Sequence, residues 1–136
     1  MPLYICNTRK GALDAHARAA IAQDITDIHC DVTGAPPIFV HAAFFEESAG
    51  FPLDDKALYV RGTIRKGRSD GQKEEIAQRI VQSLTRHGGV DDSSAAAQIR
   101  ETPASWVLEG GEIMPEPGEE AAWFEAHKAA RSEAPS

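Results

Sequence analysis

The sequence predicts an α+β protein in which two β-α-β repeats form a four-stranded mixed sheet with two helices on one face. The first observation behind this prediction is an internal similarity. Leu3-Tyr4-Ile5 recurs as Leu58-Tyr59-Val60, and the run 21–25 recurs at 76–80, both 55 residues later. Two separate matches at one spacing rarely arise by chance, so we interpret the chain as two copies of one supersecondary unit.

The second observation is the order of hydrophobic patterns within each copy. A short, β-branched apolar run is followed by an apolar stripe at helical spacing and then by another apolar run. Strands that are joined through a helix pair in parallel, because the helix carries the chain back to the end where the first strand began. Each copy therefore predicts one parallel strand pair and one helix packed on it.

Repeat one covers about residues 2–45 and begins with a strand from Leu3 to Cys6. A helix over about residues 13–32 follows and is ended by Gly34. The apolar stripe of this helix consists of Ala17, Ile21, Ile25, Ile28 and Val32. The second strand runs from Ile38 to Phe45, where apolar residues occupy both alternating positions. That pattern favours burial on both sides of the strand, so we expect copies of the chain to associate.

Repeat two covers about residues 57–102 and begins with a strand from Leu58 to Ile64. Ser69 and Gln72 have the spacing of a capping box at the start of a helix over about residues 70–87. The stripe of this helix consists of Ile76, Ile80 and Leu84, and Gly88 stands where a left-handed cap is expected. A second strand is predicted from Ala96 to Thr102.

The C-terminal segment, residues 103–136, completes a single domain of 1–136. Within it, Pro115 and Pro117 favour rigid irregular chain before a short helix over about residues 119–130, whose first turn is acidic and whose anchors are Trp123 and Phe124. The final residues, 129–136, resemble a frayed terminus.

The connection between the repeats, residues 46–56, holds a glycine, a proline and several acidic residues. This composition predicts an exposed excursion of the chain.

Composition and charge exclude several classes of protein. With 42% hydrophobic and 26% charged residues the chain is an ordinary globular one. The net charge of −7, carried mainly from Glu109 onward, disfavours nucleic acid or an anionic membrane as a partner but allows a local basic pocket for a small anion. Cys6 and Cys30 alone make neither a disulfide framework nor a zinc site. No leader or spanning segment is evident, so we expect a cytoplasmic protein.

Pro2 is the first candidate for chemistry, because removal of Met1 would expose a secondary amine at the chain terminus. An amino-terminal amine has a reference pKa near neutrality, about 7.7–8.0 for ordinary residues, and burial or nearby cations lower it further. The alternative is that Met-Pro is merely a start of the chain.

The second candidate is the basic loop Arg65-Lys66-Gly67-Arg68-Ser69, between a predicted strand and a helix N-terminus. Backbone N–H groups and two guanidinium groups at such a place can bind a carboxylate. The alternative is a solvated basic turn.

Two further residues are candidates with plain structural alternatives. His29 follows the apolar stripe of the first helix and could reach a cleft or be a buried structural histidine. Glu109 precedes Gly110-Gly111 and could be a base or part of a loop. We assign a structural or solvent role to the other histidines, which are His16, His41, His87 and His127.

Together these features resemble the tautomerase superfamily. The resemblance rests on Pro2, the duplicated β-α-β unit, the Ile-Thr-Asp-Ile-His segment ending at His29, Ile-Arg-Lys-Gly-Arg-Ser at 64–69, and Glu109 followed by Pro-Glu-Pro-Gly at 115–118. The nearest group is similar to the cis-3-chloroacrylic acid dehalogenases. The resemblance implies a tautomerase-like fold, a homotrimer, an active site at the N-terminal proline, a small carboxylate substrate and no cofactor or metal.

The same resemblance implies roles for individual residues. Pro2 matches the catalytic proline, Glu109 matches the carboxylate that activates water, and three residues match those that hold the substrate carboxylate: His29, Arg65 and Arg68. The water-activating tyrosine of the group falls on Gln98, whose amide can orient water or bond a carboxylate but cannot ionise.

The sequence therefore favours a cofactor-independent tautomerase acting on a small 2-oxo or enol carboxylate, with His29 polarising an oxygen of the substrate. Hydrolytic dehalogenation of a 3-haloacrylate, with Pro2 as the acid and Glu109 directing water, is an alternative. A non-catalytic trimer that only binds a ligand is another.

Overall fold

The computed structural model describes the backbone of residues 2–48, 54–116 and 118–133 and the side chains up to residue 128. The strands are β1 (Leu3–Thr8), β2 (His41–Glu46), β3 (Leu58–Arg65), β4 (Ala95–Thr102), β5 (Leu108–Glu109) and β6 (Glu112–Ile113). The helices are α1 (Ala15–Thr33), α2 (Asp70–Gly88) and α3 (Glu120–Glu133), and single 3-10 turns lie at 37–39, 92–94 and 104–106.

The main sheet has four strands in the order β2-β1-β3-β4. β1 pairs with β2 in parallel, with Leu3 opposite His41, and β3 pairs with β4 in parallel. The two units meet where β1 and β3 run antiparallel, with Leu3 opposite Thr63. The predicted pair of β-α-β units and the mixed four-stranded sheet are therefore confirmed.

The hydrophobic core lies between one face of the sheet and the first two helices. Side chains alternate between the faces of a strand, and the even-numbered residues of β1 and β3 point to the helices. Core residues from the sheet are Tyr4, Cys6, Leu58, Val60 and Ile64, and those from the helices are Ile21, Ile25, Ile28, Ile76, Ile80 and Leu84. The predicted stripe of α2 is therefore buried as expected, and so are the three isoleucines of the α1 stripe, whereas Ala17 and Val32 at its ends are only partly buried against the core.

Helix ends follow the sequence closely, with one correction. Asp14 caps α1 by accepting from the backbone N–H of Ala17, and Gly34 ends that helix at φ 77°. Ser69 and Gln72 form the predicted capping box of α2. Gly88 is not the left-handed cap: it is the last helical residue, and Gly89, at φ 66°, takes that position.

The repeat also needs a correction of register. Ile21 and Ile76 are both buried, so the spacing of 55 holds for the helices. In the strands, Tyr4 faces the core, whereas Tyr59 lies on the opposite face and donates a hydrogen bond to Gln98. A shift of one residue in a strand moves each side chain to the other face. The Leu-Tyr match in the strands is therefore one residue out of structural register. Only the match in the helices joins structurally equivalent positions of the two repeats.

The strand predicted from Ile38 begins later. A 3-10 turn occupies Pro37–Phe39, because Pro37 lacks the N–H that a strand would use, and β2 starts at His41. β2 is an edge strand of the sheet and its side chains are half-buried or exposed in the single chain, with Phe45 49% exposed.

The C-terminal segment folds back over the end of β3 and the 3-10 turn before β2. The hairpin of β5 and β6 leads to α3, where Trp123 donates from Nε1 to the carbonyl of Ile113 at 2.9 Å. Phe39 makes edge-to-face contacts with both Trp123 and Phe124, so the two predicted anchors do hold α3.

Some expectations lie outside the described residues. They concern positions 49–53 of the connection, Pro117 in the rigid segment, and the terminal positions 134–136. The described ends of the connection include the exposed Asp54 and Asp55, and α3 extends to Glu133 rather than ending near residue 130. No helix in the described ranges has the length and apolar character needed to span a membrane.

Candidate active site

Pro2 lies buried at the start of the inner strand β1. Its carbonyl accepts a hydrogen bond from the backbone N–H of His41 at 3.0 Å, which ties the beginning of the chain to β2. Because Leu3 lies opposite Thr63 in antiparallel register, Pro2 stands at the end of β3 that carries Arg65. The fold therefore brings Pro2 next to the basic loop.

His29 is buried near the C-terminal end of α1 and is paired with a tyrosine. The Tyr4 hydroxyl lies 2.7 Å from His29 Nδ1, and the two rings meet edge to face. Burial, the guanidinium charges of Arg68 and Arg65, and the positive amino terminus lower the pKa of His29 to about 4. His29 is therefore neutral at pH 7.

Arg65 and Arg68 converge on one carboxylate. Arg65, 3% exposed, donates from Nη2 to Glu120 Oε1 at 2.8 Å and from Nη1 to the carbonyl of Pro115. Arg68 donates from Nη2 to the same oxygen at 3.3 Å and from Nη1 to the carbonyl of Thr33 at 3.2 Å. The basic loop is therefore not a solvated turn at these two positions: its arginines form a buried ion-pair network with α3.

The charges of this network shift the pKa values of Arg68 and Glu120. Burial and the neighbouring charge of Arg65 lower the pKa of Arg68, while Glu120 opposes that shift. Burial alone would raise the pKa of the Glu120 carboxyl, but backbone N–H groups and Arg65 hold it below its usual range. Glu120 is therefore an anion that partly neutralises two buried cations.

Glu109 lies in a separate cavity of about 450 Å³ that is also lined by His41, whose backbone N–H donates to the Pro2 carbonyl. The cavity is lined by Ile38, Phe39, His41, Glu109, Gly110, Met114, Trp123, Phe124, His127 and Lys128. His41 Nε2 lies 3.9 Å from Glu109 Oε1, and burial and the positive amino terminus lower the pKa of His41. The cavity is mainly apolar, and its polar lining consists of the Glu109 carboxylate, the imidazoles of His41 and His127, and Lys128.

Gln98 is not brought to this site within one chain. It is exposed on the face of β4 away from the helices, opposite Arg61 in register, and it accepts a hydrogen bond from the Tyr59 hydroxyl at 3.0 Å. The structure therefore groups Pro2 with His29 and the two arginines, sets Glu109 in the adjoining cavity, and leaves Gln98 apart.

Three residues of the site were missed by sequence reasoning. Tyr4, His41 and Glu120 each gain their place through contacts with residues far along the chain. Side chains alternate between the two faces of a strand, so Tyr4 lies on the same face of β1 as Pro2, and this pattern could have identified it as a candidate. For Glu120, the only sequence pattern was an acidic first turn of α3. Among the described residues, no cluster of three or more His, Cys, Asp or Glu side chains could hold a metal ion.

Comparison with protein families gives one match. A family model described as "Putative oxalocrotonate tautomerase enzyme" matches residues 1–128. A search of curated proteins gives no match.

Several solved structures share the fold. N1, described as a member of the cis-3-chloroacrylic acid dehalogenase family, is 26% identical over 98% of this chain and 100% of its own, with a TM-score of 0.83. Native Ps01740 is 34% identical over 79% of this chain and 100% of its own, with a TM-score of 0.70. A wild-type fused 4-OT described as a symmetric trimer is 19% identical over 83% of this chain and 95% of its own, with a TM-score of 0.71, which shows similarity of fold alone.

Proposed function

The chain belongs to the Tautomerase_3 family of enzymes, and from this membership we propose that it is a cofactor-independent tautomerase acting on a small 2-oxo or enol carboxylate. Its proton carrier is the amine of Pro2, which removal of Met1 exposes. The observation that carries the proposal is the convergence of Pro2, a neutral His29 and the Arg65–Arg68 pair at one end of the sheet.

The proposed reaction moves one proton between carbon and oxygen. The unprotonated amine of Pro2 takes the proton from the enol oxygen, and the same nitrogen returns it to the neighbouring carbon, so the enzyme ends as it began. For this role the amine must be unprotonated near neutral pH. Arg65 and Arg68 favour that state, because nearby cations lower the pKa of an amine. Their guanidinium groups also stabilise the negative charge of the enolate.

The pairing with Tyr4 gives His29 a defined role in this scheme. Burial raises the pKa of Tyr4 far above neutrality, so its hydroxyl remains protonated and can donate to Nδ1 of the neutral imidazole. The proton of His29 is then on Nε2, where it can donate to an oxygen of the substrate. We assign to His29 the polarisation of that oxygen.

Hydrolytic dehalogenation of a 3-haloacrylate is a second candidate, favoured by the position of Glu109. Its carboxylate faces a cavity that is also lined by His41, the residue bonded to the Pro2 carbonyl, and from there it could direct water toward a substrate held near Pro2. N1, the relative of the dehalogenase family, covers nearly all of this chain. In this reaction protonated Pro2 would be the acid.

We also propose that the active form is a homotrimer. Exposed apolar side chains lie in the turn before β2, on β2 and around the C-terminal hairpin, at Ile38, Phe45, Trp106, Leu108 and Ile113. Gln98 cannot join Pro2 of its own chain, so its proposed substrate-binding role requires that a neighbouring copy present it. The 4-OT relative described as a trimer has the same fold.

Replacement of Pro2 tests the tautomerase proposal directly. We expect Pro2→Ala to lower keto-enol turnover of phenylenolpyruvate by about 10²–10⁴-fold, the usual contribution of a general acid or base. Alanine keeps the carbonyl that accepts from His41 but removes ring carbons from a buried site, so we expect a modest loss of stability, which the melting curve separates from the loss of turnover. The ultraviolet assay is paired with a melting curve, and intact mass confirms that Met1 is absent.

An NMR pH titration of the amine of Pro2 decides its role. A pKa below about 7 supports the base of a tautomerase, and a pKa above about 9 supports the acid of a dehalogenase. Wild-type turnover by Pro2→Ala would remove the proposal, and retention of Met1 in the purified protein would favour a binding protein.

A further inference from the structure

Glu120, the first residue of α3, places a carboxylate where the proposed substrate would place its own. Oε1 accepts from Arg65 Nη2 at 2.8 Å and from Arg68 Nη2 at 3.3 Å, and Oε2 accepts from the backbone N–H of Gly118 at 2.8 Å. The side chain is buried, with 8% of the residue exposed. The arginine pair is therefore occupied by a side chain of the same protein.

An incoming carboxylate must compete for these donors. Each guanidinium donates through Nη1 to a main-chain carbonyl, of Pro115 or Thr33, and through Nη2 to Glu120. A buried cation at Arg65 and a partly buried one at Arg68 would be strongly unfavourable without an anion beside them. Exchange of one carboxylate for another keeps the charge balance, so displacement by a ligand is the favourable way to free Glu120.

α3 is built to allow such an exchange. Most of its described side chains are exposed, and it is held by Glu120, by the Trp123 bond to Ile113, by the ring contacts with Phe39 and by His127, whose Nε2 lies 3.1 Å from Glu112 Oε2. Trp123 and Phe124 also line the apolar cavity of about 450 Å³. Glu120 and one wall of that cavity therefore move with the same helix.

We propose that Glu120 is an internal competitor of the substrate carboxylate and thereby restricts the substrates to 2-oxo carboxylates that carry an apolar, ring-sized group. A tethered carboxylate acts at a high effective concentration, so a short free carboxylate displaces it poorly. A ligand with a ring also gains burial against Phe39 and Trp123 in the cavity. This inference rests on the carboxylate-binding role proposed for Arg65 and Arg68.

The test follows binding rather than turnover. Trp123 lies one helical turn beyond Glu120, and Trp106 is the other tryptophan of the chain, so Trp106→Phe leaves Trp123 as the sole emitter. In that background, 3-phenylpropanoate should change the emission saturably, whereas its neutral amide should not. Acetate should bind much more weakly than 3-phenylpropanoate.

Charge removal at Glu120 supplies the decisive comparison. Glu120→Gln keeps an oxygen that can accept from the arginines but loses the charge, so 3-phenylpropanoate and acetate should both bind about tenfold more tightly. Glu119→Gln is the matched control, because Glu119 is the exposed neighbour on the same turn, and it should leave both affinities unchanged. Equal affinities in Glu120→Gln and Glu119→Gln would overturn the proposal.

A measurement on the unmodified protein guards against a variant that folds poorly. The backbone N–H of Gly118 donates to Glu120, so saturation with 3-phenylpropanoate should speed its hydrogen exchange at least tenfold. Unchanged or slower exchange with the ligand bound would mean that Glu120 stays in place, which overturns the competition.

A failure of 3-phenylpropanoate to bind any variant would overturn both this inference and the proposed role of the arginines. Competition without tautomerase turnover would instead leave this inference standing and remove the proposed reaction.

Discussion

His29 shows how one buried side chain can be fixed in a single charge state. An imidazole with an ordinary pKa of 6.5 would be partly charged at neutral pH, but burial and three neighbouring positive charges lower the pKa to about 4. Tyr4 occupies Nδ1 at 2.7 Å. The proposed oxygen-polarising role depends on this neutral state, because a positive His29 would add a third cation beside the arginines.

The pKa of His29 predicts a pH dependence of stability. The unfolded chain takes up this proton near pH 6.5 and the folded chain only near pH 4. The stability that the neutral residue contributes is therefore complete above about pH 6.5 and is lost as the pH falls toward 4, by about 3 kcal/mol in total. The glutamine of His29→Gln cannot titrate. In urea unfolding, the free energy of unfolding should therefore fall less between pH 7 and pH 4 for the variant than for the wild type, by about that amount. Parallel pH curves for the two proteins would contradict the prediction.

Arg68 allows a test of the carboxylate role at a single residue. A lost charge-assisted hydrogen bond costs about 1.5–3 kcal/mol, which corresponds to roughly a 10- to 100-fold rise in KM for a carboxylate substrate if Arg68→Ala removes it. The ethyl ester of the same substrate is the control, since it offers no carboxylate. Steady-state kinetics with both compounds would refute the assignment if KM rose equally for acid and ester.

At the scale of elements, the packing of β1 against β3 positions the imidazole. Gly62 lies opposite Tyr4, and a Cβ at this position would meet Cδ1 of the tyrosine ring at 2.7 Å and Cδ1 of Ile99 at 2.9 Å. A bare backbone at residue 62 therefore leaves room for the ring that holds His29.

Gly62→Ala should disturb this arrangement. Overpacking of a buried site costs about 1–3 kcal/mol, and movement of Tyr4 should also weaken its bond to His29. Gly71→Ala is the matched control: it lies in the first turn of α2, where a Cβ makes only an ordinary contact of 3.9 Å with Ser69, and alanine favours a helix by about 1 kcal/mol. Denaturant unfolding should show destabilisation at residue 62 and slight stabilisation at residue 71. Destabilisation of both to the same extent would argue against a special role for Gly62.

Local sequence patterns predicted most of the elements, for physical reasons. The stripes of α1 and α2 and the capping box at Ser69 depend on neighbours three or four residues away, which a sequence displays directly. Two predicted positions were wrong. The left-handed cap of α2 is Gly89 rather than Gly88, and a 3-10 turn at Pro37–Phe39 delays the start of β2 beyond Ile38. The position of Glu120 depends on contacts with residues 52 and 55 positions earlier, and no local pattern encodes those.

At the scale of the whole molecule, the face of the sheet opposite the helices is left uncovered in the single chain, and we expect association of chains to cover it. Phe45 is 49% exposed on that face of β2, and Trp106 is 75% exposed near the C-terminal hairpin. The sequence predicted association from the apolar residues of this strand, and that remains a prediction. The position of Gln98 depends on it, because that residue lies apart from Pro2 of its own chain.

Sedimentation should show a trimer, and a charge at the exposed ring should disrupt it. Phe45→Glu places a carboxylate on the open face of β2, and a buried unpaired charge is strongly unfavourable. Gln78→Glu adds the same charge at an exposed position of α2 and should leave the trimer intact. We expect sedimentation equilibrium to give the monomer mass for the first variant alone, with a loss of turnover. A wild-type monomer at micromolar concentration would contradict the trimer.

The burial of Pro2 also has a consequence for the stage of synthesis at which the initiating methionine is removed. Pro2 directly precedes a strand that is paired on both sides, and it is buried, with its carbonyl bonded to the backbone N–H of His41. We therefore expect excision of the initiating methionine, on which the proposed catalytic amine depends, to precede the enclosure of Pro2 during folding. Synthesis that outpaces the aminopeptidase should leave an inactive fraction, visible by intact mass as chains that keep Met1.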